Sequence, residues 1–339
     1  MTLPAVQLGG SWEHIASRTL WSVASTQGPS APRDIIMQRN ADGERLAISA
    51  ERLRTVFRVA LPSSELGVYV GGNGSTYLPA AAAVESWLGR PLDFVLAYGD
   101  AGVAANTFRF DSSDPNGWPV TTRLALGQPL TAPGWDMAAA AAGAHDATFQ
   151  TAADNLLDLN VQQRIVDLRI GWEMNGDWYP WSLGGDGTNQ TPANYVATFR
   201  RLALMVRGNC PNIAITWNPN FDREGMDWYP GDDVVDIIGT DIYVNSAYFA
   251  DNFDFFRTAP CGLDWLENMA VTRNKKLAVP EWATNYNTDN FVVPFAAWLR
   301  ERSSLLAYHA FWDSNDAFPG AFVDYPVVQA AYQHEFGNP

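Results

Sequence analysis

From Glu65 to Trp312 the chain repeats one alternation: a short, nearly continuous apolar run, then a stretch with helical spacing. This pattern restricts the fold severely. Strands buried on both faces lose the polar alternation, and consecutive parallel strands need a crossover long enough to hold a helix. Leu66 to Val70, Phe94 to Tyr98, Leu124 to Gly127, Leu168 to Glu173, Ile213 to Trp217, Val234 to Tyr243, Lys276 to Glu281 and Leu305 to Trp312 read as eight strands. Helices are expected over Pro79 to Leu88, around Asn155 to Arg164, from a Thr191 cap and Pro192 through Val206, over Leu263 to Ala270 and over Val293 to Arg300. Eight such units favour closure into a (β/α)8 barrel of the α/β class, and 339 residues suit a barrel carrying an extension. The alternative is an open doubly wound sheet, but Gly71-Gly72-Asn73-Gly74 after the first strand lacks the Gly-x-Gly-x-x-Gly register.

Residues 1–60 do not follow the alternation. Pro29 and Pro32 interrupt them, Ile35 to Gln38 and Leu46 to Ile48 read as short strands, and Ser49 with Leu53, Val56 and Phe57 reads as a short capped helix. They are taken as an N-terminal extension packed on a catalytic barrel over 61–339.

Charge narrows the partners. A formal net charge of −15 and the lack of any long Arg/Lys run argue against nucleic acid and against an anionic membrane surface. A neutral or cationic ligand fits better. Four histidines, with no His-x-His or His-Glu-x-x-His, compose no obvious metal site, so neither metal nor cofactor is expected. Gly184 to Asn189 reads as a solvent loop rather than a Ca²⁺ site, and Cys210 and Cys261 as two buried thiols. No charged segment followed by a long apolar one opens the chain. The expectation is a secreted protein whose leader has been removed, with a cytoplasmic location as the alternative, acting as a monomer or weak oligomer.

Chemistry in a (β/α)8 enzyme gathers at the carboxyl ends of the strands. The predicted ends carry Tyr98 and Asp100, Gln128, Glu173 and Asn175, Trp217 and Asn218, Asp241 and Tyr243, Glu281 and Trp282, and Trp312 with Asp313. Strands 4 and 7 stand across the mouth, so Glu173 and Glu281 are placed to face one another over a sugar. Glycoside hydrolysis needs such a pair, one to protonate the departing oxygen and one to attack or to activate water; retention requires a separation of about 5 Å. Strand periodicity directs Arg169 and Glu173 to the same inward face, where Arg169 orients a carboxylate or supports the barrel as an internal ion pair. Tyr243 is positioned to donate to Glu281. Many of the 14 tryptophans lie in Gly/Pro/Asp/Asn-rich stretches, and Trp178, Trp181, Trp217 and Trp312 are candidates for stacking on sugar rings. Asn175, Asn218, Asp241 and Gln128 are candidates for polar recognition, with Tyr98 and Trp282 nearby.

Leu168-Arg169-Ile170-Gly171-Trp172-Glu173-Met174-Asn175-Gly176-Asp177-Trp178-Tyr179-Pro180-Trp181 resembles the acid/base segment of glycoside hydrolase family 26, best known for endo-β-mannanases. Thr216-Trp217-Asn218-Pro219-Asn220, Val235 to Tyr243 and Val279-Pro280-Glu281-Trp282 follow in the family's order. The resemblance implies a cofactor-free double displacement with retention, Glu173 as acid/base, Glu281 as nucleophile, Tyr243 as its hydrogen-bonding neighbour and Trp312 as a platform under the reacting sugar. It departs at Trp172, where the family has His; indole offers one donor and no acceptor, so the sugar preference does not carry over. The expected activity is endo-cleavage of a β-linked polysaccharide, mannan-like or a bacterial exopolysaccharide. Xylan, mixed-linkage β-glucan and a non-catalytic carbohydrate-binding barrel are the alternatives.

Overall fold

The computed structural model describes residues 65–71, 74–99, 123–161 and 165–337, and before them five strands with the turn at 41–42. Those strands are β1 (Ser11–His14), β2 (Leu20–Thr26), β3 (Asp34–Arg39), β4 (Arg45–Ser49) and β5 (Phe57–Val59), in the antiparallel order β4-β3-β2-β1-β5. The two short strands expected near 35–38 and 46–48 lie within β3 and β4. Phe57 opens β5 rather than closing a helix, and 50–56 fall outside the described residues, as does Asp100.

The second sheet is parallel throughout. Its strands are β6 (Glu65–Tyr69), β7 (Phe94–Tyr98), β8 (Leu124–Gln128), β9 (Ile165–Ile170), β10 (Ile215–Trp217), β11 (Ile237–Gly239), β12 (Ile242–Val244), β13 (Lys276–Thr284) and β14 (Leu306–Trp312). The single run expected over Val234 to Tyr243 is two short strands broken at Thr240 and Asp241. Both pair with β13, Ile237 opposite Lys276 and Ile242 opposite Trp282, so together they form one stave. With β11 also paired to β10, eight staves close the (β/α)8 barrel. β8, β10, β11 and β14 are buried at every position, as strands sandwiched between a filled interior and covering helices must be.

The helices are α1 (Gly74–Leu88), α2 (Met137–Ala141), α3 (Asp146–Val161), α4 (Pro192–Asn209), α5 (Phe253–Thr258), α6 (Leu263–Thr272), α7 (Val292–Glu301) and α8 (Pro326–Phe336). In α4 the Thr191 hydroxyl accepts from the Asn194 amide at 3.2 Å, Pro192 occupies the first turn, and Tyr195, Phe199, Leu202 and Val206 form the buried stripe. No helix among the described residues is long and apolar enough to cross a membrane. Cys210 and Cys261 are free and buried.

Two local departures from regular strand geometry shape the mouth. Strand β9 ends at Ile170, not at Glu173; Gly171 (φ +50°) and Glu173 (φ +52°) then take left-handed conformations. That conformation is uncommon for a glutamate, and it is held by Glu173 N–H to the Asn218 carbonyl (2.9 Å) and by Gly176 N–H and Ser182 Oγ donating to the Glu173 carbonyl (2.9 and 3.1 Å). In β13, register against β14 slips between Val279–His309 and Trp282–Phe311, adding one residue where Pro280 has no N–H to give. The bulge brings Glu281 to the mouth.

Candidate active site

Glu281 sits in a cage of donors. Tyr98 Oη (2.7 Å) and Arg169 Nη1 (2.8 Å) donate to one carboxylate oxygen and Tyr243 Oη donates to the other, while the Glu281 amide donates to Asp241 (3.1 Å). Arg169, fully buried on β9, donates Nη2 to Asp241 (2.6 Å) and Nε to Asn218 (3.0 Å), and Asn218 Nδ2 donates to the same Asp241 oxygen (2.7 Å). Placing a guanidinium inside a barrel costs several kcal/mol unless carboxylates and acceptors surround it, and here four side chains do, the Tyr98 hydroxyl included (2.9 Å). The geometry fixes the direction of the Glu281 carboxylate.

Glu173 has a different environment. Its oxygens accept from Asn220 Nδ2 (2.5 Å) and Trp178 Nε1 (2.8 Å), with no cation in direct contact. Burial, and then the negative charge of Glu281, push its pKa from 4.5 up to about 7. Carboxylate oxygens of Glu173, Asp241 and Glu281 all lie within 4.8 Å of one another. These are the one cluster among the described residues with enough donors to suggest a metal, but Arg169 already pairs with two of the three carboxylates and its charge opposes a cation there. The two carboxylates are close together but differ in surroundings, one caged by donors and one with a raised pKa.

The pair opens into a cleft of about 910 Å³. Of the residues anticipated from sequence, Glu173, Glu281, Trp178, Tyr243 and Trp312 line it. Trp312 is backed by Tyr69, stacked with ring centroids 3.9 Å apart. Tyr98, Arg169, Asn218 and Asp241 lie behind and orient the carboxylates. Asn175 ties Asn220 in place, accepting its amide (2.8 Å) and donating to its carbonyl (2.8 Å).

Four expectations are corrected, those for Trp181, Trp217, Trp282 and Gln128. Trp217, Trp282 and Trp181 are fully buried in the core. Trp282 packs on Phe295 and Phe311 outside the barrel wall, because side chains alternate along a strand and its neighbour Glu281 faces inward. The same rule sends Trp217 outward against Tyr229 and Trp265 while Asn218 points in. Trp181 donates to the Trp172 carbonyl (2.7 Å) and stacks on Tyr179, and Gln128 is buried with its amide on the Pro129 carbonyl (3.0 Å). Trp172, 2% exposed, packs behind Tyr98 and Tyr179 and does not line the cleft. Sequence reasoning missed Asn220, Tyr179, Arg223, Asn245, Tyr248, Phe249 and Phe318, which do line it. Asn220, two positions beyond inward Asn218, had a signal in strand spacing; the others stand on loops whose course no periodicity reports.

Known proteins resemble this chain over part of its sequence and in its fold. The model for Glycosyl hydrolase family 26 matches residues 139–273. Mannan endo-1,4-beta-mannosidase of Bacillus subtilis is 31% identical over 117 residues, 32% of this chain and 32% of that protein. Endoglucanase H of Acetivibrio thermocellus is 35% identical over 92 residues, 25% of this chain and 10% of that protein. The match therefore spans about a tenth to a third of these relatives' lengths. Among solved structures, the YdhT protein from Bacillus subtilis superposes with a TM-score of 0.56 at 18% identity, covering 81% of this chain and 88% of that one. A GH26 beta-mannanase from Bacteroides ovatus gives 0.54 at 15% identity, covering 84% and 89%. At such identities the superpositions establish the barrel fold.

Proposed function

From the match of residues 139–273 to glycosyl hydrolase family 26 we propose that this chain is a member of that family and a retaining, endo-acting hydrolase of a β-linked polysaccharide, with Glu173 as acid/base and Glu281 as nucleophile. The observation that carries the reading is the carboxylate pair in different environments with oxygens within 4.8 Å, which agrees with the short separation of about 5 Å that retention requires. Glu281 attacks the anomeric carbon as Glu173 gives its proton to the departing oxygen, leaving a glycosyl ester on Glu281. Water then enters on the vacated side; Glu173, now a carboxylate, takes its proton as it attacks the anomeric carbon and frees Glu281. Tyr98, Arg169 and Tyr243 hold the attacking oxygens, and Trp312 supports the reacting ring.

The relatives' names put mannan and β-glucan first among substrates to try, with xylan and bacterial exopolysaccharides beside them. New reducing ends should appear with the parent and not with Glu173→Gln or Glu281→Gln, and the first product seen by NMR should be the β-anomer. An α-anomer first would overturn the double displacement. No release from any of these glycans would overturn the activity.

A further inference from the structure

Chemistry at the carboxylate pair leaves the outer wall of the cleft without a task. Among the described residues only two Trp or Tyr side chains are exposed, Trp178 at 46% and Tyr248 at 79%, and both line this one cleft. Tyr248 is not bare because its loop is loose. Its neighbour Phe249 packs on Phe221 and Phe256, with Tyr286 Oη donating to the Phe249 carbonyl (2.7 Å). Asn285 accepts the Ser246 amide (2.7 Å), Asn245 accepts that of Ala247 (3.0 Å), and Asp251 accepts from Asn290 (2.9 Å) and from Thr288. A tied loop that turns a large ring into a cleft beside Asn245 offers a preorganised flat face with an amide at its edge.

We propose that Tyr248 is a stacking platform for a sugar unit on the leaving-group side of the scissile bond, with Asn245 as its polar partner. This rests on the hydrolase reading above. The cleft wall is built mostly by loops after β9, β10 and β12, which carry Trp178, Asn220, Arg223 and Tyr248; β14 and its loop supply Trp312, Ala317 and Phe318. Glu173 hands its proton to the departing oxygen, and Asn220, which donates to Glu173, is followed by Phe221, on which Phe249 beside Tyr248 packs; sugars running over these loops are the ones that leave. A ligand reaching Tyr248 has units beyond the cleaved bond, which fits a polymer and not a small glycoside.

The test compares Tyr248→Ala with the parent on two substrates of the sugar that the glycan panel identifies: an oligosaccharide extending several units past the cleaved bond, and a nitrophenyl glycoside with no sugar there. The variant should lose about tenfold in kcat/KM on the oligosaccharide, mostly through KM, a far smaller factor on the nitrophenyl glycoside, and recover with Tyr248→Trp. Equal losses on both, or none on either, overturn the platform. Affinity electrophoresis through the same glycans reads binding without turnover: the parent should be retarded and Tyr248→Ala less so, and equal mobility or no retardation of either overturns it. Failure of the hydrolase reading differs, since the parent itself then releases no reducing ends. Unfolding temperature should not change, because the ring is already in water.

Discussion

Replacing Glu173 by Gln tests the proton that the acid/base reading requires, through stability rather than rate. The carboxyl is 95% hidden from solvent, its pKa rises from 4.5 to about 7 on burial, and solvent screening is correspondingly weak. At pH below 4.5 both folded and unfolded chains hold this proton. Between 4.5 and about 7 the folded protein keeps a proton that the unfolded chain has released, so rising pH costs stability across that window and the full cost stands above it. Each pH unit between the two values is worth about 1.4 kcal/mol, giving about 3 kcal/mol in all. The amide introduced by Glu173→Gln does not titrate. It also faces two donors, Asn220 Nδ2 and Trp178 Nε1, but that mismatch is the same at every pH and cancels in the comparison. The measurement is Tm of parent and Glu173→Gln from pH 4 to 8. The variant should gain on the parent as pH rises, by about 4 °C between the ends for a chain of this size. A Tm difference that stays flat with pH would refute the claim that Glu173 carries a buried proton, and with it the asymmetry of the pair.

Three further outcomes follow from the same contacts. Asn220→Ala removes a donor that favours ionised Glu173, so the high-pH limb of kcat should move upward by up to about one pH unit; a downward shift contradicts the assignment. Arg169→Met leaves Asp241 and Glu281 facing each other without their buried cation, and denaturant titration should show a loss of about 3–5 kcal/mol; an unchanged midpoint would mean Arg169 does not hold the pair. Trp282→Ala empties core space between β13 and α7, costing about 3–5 kcal/mol with KM of the folded enzyme unchanged, whereas a raised KM would return Trp282 to the cleft.

The alternation of apolar runs with helical spacing, and polar or aromatic residues at nearly every strand end, were enough to name a barrel and its two carboxylates, because burial on both faces imposes a local pattern that any reader of the chain can see. Arg169 too was legible, four residues before Glu173 on the inward face that strand periodicity gives it. Periodicity also held what was misread: Glu281 and Trp282 are adjacent, as are Trp217 and Asn218, so only one of each pair is able to face the mouth.

Other features depend on chain segments distant in sequence. The turn that gives Glu173 a positive φ exists because Asn218 and Ser182 hold it from other segments, and the bulge that aims Glu281 is a mismatch between β13 and β14. The raised pKa of Glu173 follows first from its burial and then from Glu281, 108 positions away, standing beside it. Local sequence determined which residues line the strands and therefore which fold they build. Only tertiary structure decided which way the loops carry Trp178, Asn220 and Tyr248, because a loop's course is set by whatever it packs and hydrogen-bonds against, and those partners come from elsewhere in the chain.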